Sequence, residues 1–170
     1  ERFMSKIRNA MASAVAGAAM LAASAAPTVS AEMKPSLSLD AANAMVQACL
    51  TLAAAEGWAM HVTVLDDGAN LKAYARMDNS MLLAQDISMS KARTSAMFPG
   101  PTSMMGQMAF GEGVANAFAF IPGVTYFAGG LPIMSGGGHV GGIGVSGASA
   151  EQDEQCAQAG IDAAAAAGLL

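Results

Sequence analysis

The chain has 170 residues, 54% of them hydrophobic, with 8 Lys and Arg against 13 Asp and Glu for a formal net charge of −5. That balance argues against a nucleic-acid binder, which needs a basic surface to meet phosphates, and it leaves no polybasic patch for anionic lipid. The length allows one domain with a core large enough to stand without a staple.

Met4 opens a tripartite segment. Lys6 and Arg8 come first, then an Ala-rich apolar stretch from about Ala10 to Ala26, then Pro27 to Ala31. Val29 and Ala31 hold the small-residue positions three and one before a cut. This predicts a signal peptide over residues 1–31 and an exported domain over 32–170, periplasmic or secreted. The stretch is too rich in small residues, and lacks the roughly 20 strongly apolar positions, for a membrane span. No membrane association is therefore expected after cleavage.

Ser38 is placed to cap a helix from Leu39, and Ala41, Ala42, Met45, Val46, Cys49, Leu50 and Ala53 recur at helical spacing up to a stop at Gly57. Trp58 to Leu65 is rich in β-branched residues and reads as a strand, Asp66 to Asn70 as a turn, and Leu71 to Asp78 as a second strand. Leu82 to Phe98 returns to a helical period, closed by Pro99-Gly100-Pro101. Thr102 to Phe110 reads as a short helix. Val124–Phe127, Gly130–Met134 and His139–Val145 read as strands, and Ser149 to Leu169 as the last helix, with acids in its first turn. The order α-β-β-α-α-β-β-β-α, with tight turns between strands, predicts a single α+β domain whose antiparallel sheet packs against helices.

Gly142-Ile143-Gly144-Val145-Ser146-Gly147 spells G-x-G-x-x-G, the pattern of a dinucleotide-binding turn. The context is wrong for one, because Gly147 leads into a helical pattern where a βαβ unit needs a second parallel strand ending in an acid. The glycines are instead expected to serve tight turns and close helix–strand packing.

Candidate chemistry is sparse. Asp66 and Asp67 precede Gly-Ala-Asn and read as turn formers rather than an acid–base pair. No G-x-S-x-G signature supports a nucleophilic serine. Cys49 and Cys156 sit in helical patterns, either as one disulfide between neighbouring helices or as two buried thiols. Strand alternation places His61 opposite the apolar positions Met60, Val62 and Val64. Its ring is then expected to face solvent, a groove or a neighbouring subunit, where a neutral imidazole can ligate a metal. The eleven methionines from Met33 onward are soft thioether donors as well as adaptable core and interface filler.

Three stretches together carry a resemblance. Gly129-Gly130-Leu131-Pro132-Ile133 with Val140 to Gly147 and Ala150 to Glu154 is similar to the C-terminal signature of the GlcG/HbpS family of haem-binding and related small proteins. Val64 to Leu71 with Ala75-Arg76-Met77-Asp78 resembles that family's hairpin, and Lys91-Ala92-Arg93-Thr94-Ser95-Ala96-Met97-Phe98 its central helix motif. The resemblance implies a profilin-like α+β domain, homo-oligomeric assembly (octamers in some members) and, for exported members, haem as the cofactor. It implies a protein that sequesters, delivers or senses haem rather than an enzyme. The alternatives are an enzyme or accessory factor for a small hydroxy acid, as relatives near glycolate-utilisation genes imply, and a ligand-free structural oligomer. Lys91, Thr94, Ser95 and Phe98 fall on one helical face. The resemblance makes Thr94 the match of the family's haem-linked threonine. A cation, hydroxyls and a ring on that face suit a flat acidic cofactor, with Lys91 for a propionate and Phe98 against the macrocycle. His61, from its strand face, is the candidate for the haem iron.

Overall fold

Local chemistry sets both ends of the first helix. In the computed structural model, which describes residues 34–112 and 116–170, α1 spans Leu39–Glu56. The Ser38 side chain accepts a hydrogen bond from the Ala41 amide at 3.1 Å, and Gly57 ends the helix with a left-handed φ of 73°. The expected signal peptide, residues 1–31, lies outside the described residues.

β1 (His61–Asp66) and β2 (Leu71–Arg76) form an antiparallel hairpin. One Asp66 carboxylate oxygen accepts from the amides of Gly68 and Asn70 and from the Asn70 side chain, so this residue builds the turn. α2 (Leu83–Met97) and α3 (Thr102–Phe110) follow, separated by Pro99-Gly100-Pro101, and Asn116–Phe120 makes a 3-10 turn. β3 (Gly130–Ser135) and β4 (Gly138–Ser146) form a second hairpin, and α4 (Ala150–Ala166) ends the domain. Ser149 and Gln152 close a reciprocal capping box at the start of α4.

The four strands run in the order β2-β1-β4-β3, every neighbouring pair antiparallel. α1 and α4 cover one face, where Met45, Val46, Val62, Val64, Ile133, Ile143 and Val145 form the core. A disulfide between Cys49 and Cys156 joins these two helices, with 4.7 Å between Cα atoms. α2 covers the opposite face, where Leu65 packs on Ala92 and Ala96. The α+β class is as expected.

The glycine pattern is explained by α2. A Cβ on Gly142 would stand 2.5 Å from the Ala92 carbonyl oxygen, and one on Gly144 would collide with the backbone of Ser88 and Ala92. The helix backbone therefore rests directly on β4, which only glycine permits.

Two expectations are corrected. Val124–Phe127 is not a strand, so the described elements hold two hairpins and no fifth strand. Its polar groups are drawn to α2 instead: the Thr125 amide donates to Thr94 Oγ1 at 3.0 Å and the Thr125 hydroxyl to Ser90 Oγ at 2.7 Å. The sheet face carrying His61 is also not open, because α2 and the segment before it lie across it.

Candidate functional site

Proline and glycine at 99–101 break the long helical pattern and turn α3 back beside the C-terminal half of α2. Between them lies a pocket of about 200 Å³, lined by Arg93, Thr94, Met97 and Phe98 of α2 and its end, Met105 of α3, and Ile121 to Val124. Its walls are apolar except for the Thr94 hydroxyl and the exposed Arg93 guanidinium, which has no ion-pair partner among the described residues. Thr94 is 3% exposed; its hydroxyl donates to the Ser90 carbonyl at 2.8 Å while accepting from the Thr125 amide. A wider groove of about 450 Å³ lies between β3 and α4, and no charged side chain lines it.

The structure brings Thr94 and Phe98 together in the smaller pocket and sends Lys91 elsewhere. Lys91 is fully buried and donates to Asp153 Oδ2 at 2.6 Å and to the Val145 carbonyl at 2.9 Å. The Phe127 ring centroid lies 4.8 Å from its ammonium. Its three N–H donors are thus taken by a carboxylate, a carbonyl and a ring face, and none is left for a propionate. Burial pulls the Lys91 pKa down and pushes that of Asp153 up, each opposed by the other's charge. Asp153 also accepts from the Ala148 amide at 3.1 Å. The pair is a buried clamp between α2, β4 and the first turn of α4.

His61 is corrected in its surroundings though not in its face. Its ring is buried, with Nδ1 2.7 Å from the Tyr74 hydroxyl and Nε2 2.9 Å from Ser80 Oγ. Ser80 spends its proton on the Met77 carbonyl at 2.7 Å. It must therefore accept from Nε2–H, which leaves Nδ1 to accept from Tyr74. Burial lowers the His61 pKa below 6.5, partly countered by the Met81 backbone and reinforced by the Arg76 charge. A neutral ring with both nitrogens engaged has no lone pair for a metal. His139 Nε2 donates to the Ser95 carbonyl at 2.9 Å and ties β4 to α2.

Beyond the assigned Thr94 and Phe98, the pocket is lined by Arg93, Met97, Met105 and residues 121–124. Arg93 and Met97 stand four apart within the central helix motif, a spacing that puts them on one stripe. The assigned stripe, from Lys91 to Phe98, instead splits: Lys91 and Ser95 turn to the sheet, while Thr94 and Phe98 turn to the pocket. Among the described residues, no group of three or more His, Cys, Asp or Glu is arranged to hold a metal ion.

Fold and pocket together define a class: a small three-layer α+β domain whose apolar, cation-rimmed pocket is built off one end of its sheet-covering helix. The chain belongs to the HbpS-like family, whose model, described as "Haem degrading protein HbpS-like", matches residues 37–162. It is 36% identical over 110 residues to protein GlcG of Escherichia coli K12, across 65% of this chain and 81% of that protein. A double mutant of Streptomyces reticuli HbpS superposes with a TM-score of 0.70 at 33% identity, over 81% of this chain and 97% of that one. A PduOC–haem complex superposes with a TM-score of 0.71 at 25% identity, over 76% and 95%.

Proposed function

We propose that this domain binds haem at the pocket between α2 and α3, holding it by one edge in an exchangeable complex that sequesters, delivers or senses the cofactor. The observation that carries this reading is the make-up of the pocket. Met97, Phe98, Met105, Ile121, Pro122 and Val124 supply apolar walls, and the exposed Arg93, unpaired among the described residues, stands at the rim. A flat apolar ring with carboxylates along one edge needs those two features side by side. At about 200 Å³ the pocket is smaller than the roughly 300–1,000 Å³ cavities that enclose whole ligands. Part of the ring therefore stays outside, against exposed side chains such as Phe120, next to Ile121 in sequence and 81% exposed.

The HbpS-like description of the family and the haem complex of the structural relative PduOC support the same ligand. Arg93 would hold a propionate, and Phe98 and Met105 the ring. Export is part of the proposal. It is supported by the Cys49–Cys156 disulfide, which suits an oxidising compartment. Homo-oligomeric assembly is part of it too, supported by exposed apolar side chains such as Leu82 and Phe110, 73% and 63% exposed.

The test is a haemin titration followed by gel filtration. A saturable Soret band is expected to co-elute with the protein, and Arg93→Gln is expected to weaken binding by roughly tenfold, one charge-assisted contact. A band stripped on the column overturns the proposal, as does equal affinity in Arg93→Gln and Phe98→Ala.

A further inference from the structure

The haem reading leaves open which atom meets the iron, and the hydrogen-bond network removes most candidates. Both His61 nitrogens are engaged, by Tyr74 and Ser80, and His61 does not line the pocket. His139 is tied to the Ser95 carbonyl and does not line the pocket. Both cysteines are in the disulfide. Three residues that carry a donor atom remain in the pocket lining: Thr94, Met97 and Met105. Thr94 already gives its proton to Ser90 and takes one from the Thr125 amide, so ligation would compete with two bonds that pin the 121–125 segment to α2. Met105 is 5% exposed and is packed as part of the wall.

We infer that Met97 supplies the thioether that ligates the iron of a haem bound in this pocket, an inference that rests on the haem reading above. Met97 is 66% exposed while lining the pocket, so its side chain is free to turn toward a ligand without breaking core packing. It lies one helical turn beyond Arg93, which sets a carboxylate anchor and a soft donor on one stripe of one rigid element. A methionine's long, unbranched side chain adapts the position of its sulfur to a ring that a pocket of about 200 Å³ holds only in part. Thioether ligation is established haem chemistry and raises the iron's reduction potential.

The test compares haemin with iron-free protoporphyrin IX on wild-type protein, Met97→Leu and Met105→Leu. Leucine keeps the apolar bulk and removes only the sulfur, and the exposed position makes misfolding a minor concern. Met97→Leu is expected to weaken haemin by about tenfold or more, the scale on which metal sites lose affinity when supporting groups are removed. It is expected to leave protoporphyrin within about twofold and to abolish the thioether-to-iron charge-transfer absorption of the ferric complex. Met105→Leu is expected to keep that absorption. If Met97→Leu weakens both porphyrins equally, or leaves the ferric spectrum intact, Met97 is only wall; the inference fails and the haem reading stands. If wild-type protein retains neither porphyrin, both fail together.

Discussion

Replacing Lys91 by Met removes one charge from the centre of the domain and keeps most of the side chain's volume. What it leaves behind sets the cost. Asp153, 4% exposed at its side chain, loses a 2.6 Å partner, and the Val145 carbonyl loses a 2.9 Å donor. Breaking a buried pair from one side costs about 3–5 kcal/mol, because the surviving charge stays desolvated without its counter-ion. For a domain of this size about 1 kcal/mol moves the melting midpoint by a few degrees, so a drop of roughly 10–20 °C is expected for Lys91→Met. Urea unfolding followed by circular dichroism gives the free-energy difference, and Lys91→Met/Asp153→Leu should recover much of the loss by removing the stranded carboxylate. Ligand binding by the fraction still folded should be nearly unchanged, since the ammonium does not reach the pocket. An unchanged midpoint in Lys91→Met, or a well-folded variant that loses haemin, would refute the clamp and return Lys91 to the ligand.

Two further outcomes follow from the same geometry. Because burial lowers the His61 pKa below 6.5, the unfolded chain binds a proton that the folded chain refuses once pH falls below that value. The stability this histidine contributes is complete above pH 6.5, declines as pH drops beneath it, and levels off below the folded pKa; an NMR titration with the His61 midpoint at or above 6.5 contradicts a buried neutral ring. Gly144→Ala drives a methyl into the Ser88 and Ala92 backbone and is expected to cost about 1–3 kcal/mol or more by calorimetry, whereas a wild-type melting curve would mean that α2 does not rest on β4.

Much of the architecture was legible because it is written in chemistry that spans a few residues. Ser38 and Gly57 bound α1, Ser149 and Gln152 start α4, and Asp66 folds its own turn, each through bonds to atoms at most four residues away. The two-residue alternation of β1 correctly separated Met60, Val62 and Val64 from His61 and Thr63. The motif from Lys91 to Phe98 marked the helix that lines the pocket, and Thr94 and Phe98 do face it.

What only the tertiary structure decided is which surfaces are covered and which partners the polar groups take. Periodicity assigns a residue to a face but says nothing of what packs on that face, so His61 is on the expected side yet buried beneath Ser80 and beside Tyr74. A helical wheel places Lys91 with Thr94. The carbonyl and carboxylate that draw it inward belong to Val145 and Asp153, 54 and 62 residues away. Val124 to Phe127 has strand composition, but Thr94 and Ser90 claim its polar groups before another strand does. With Lys91 turned inward, the cation at the pocket falls to Arg93, because burial and long-range pairing, not local sequence, choose which charge meets solvent.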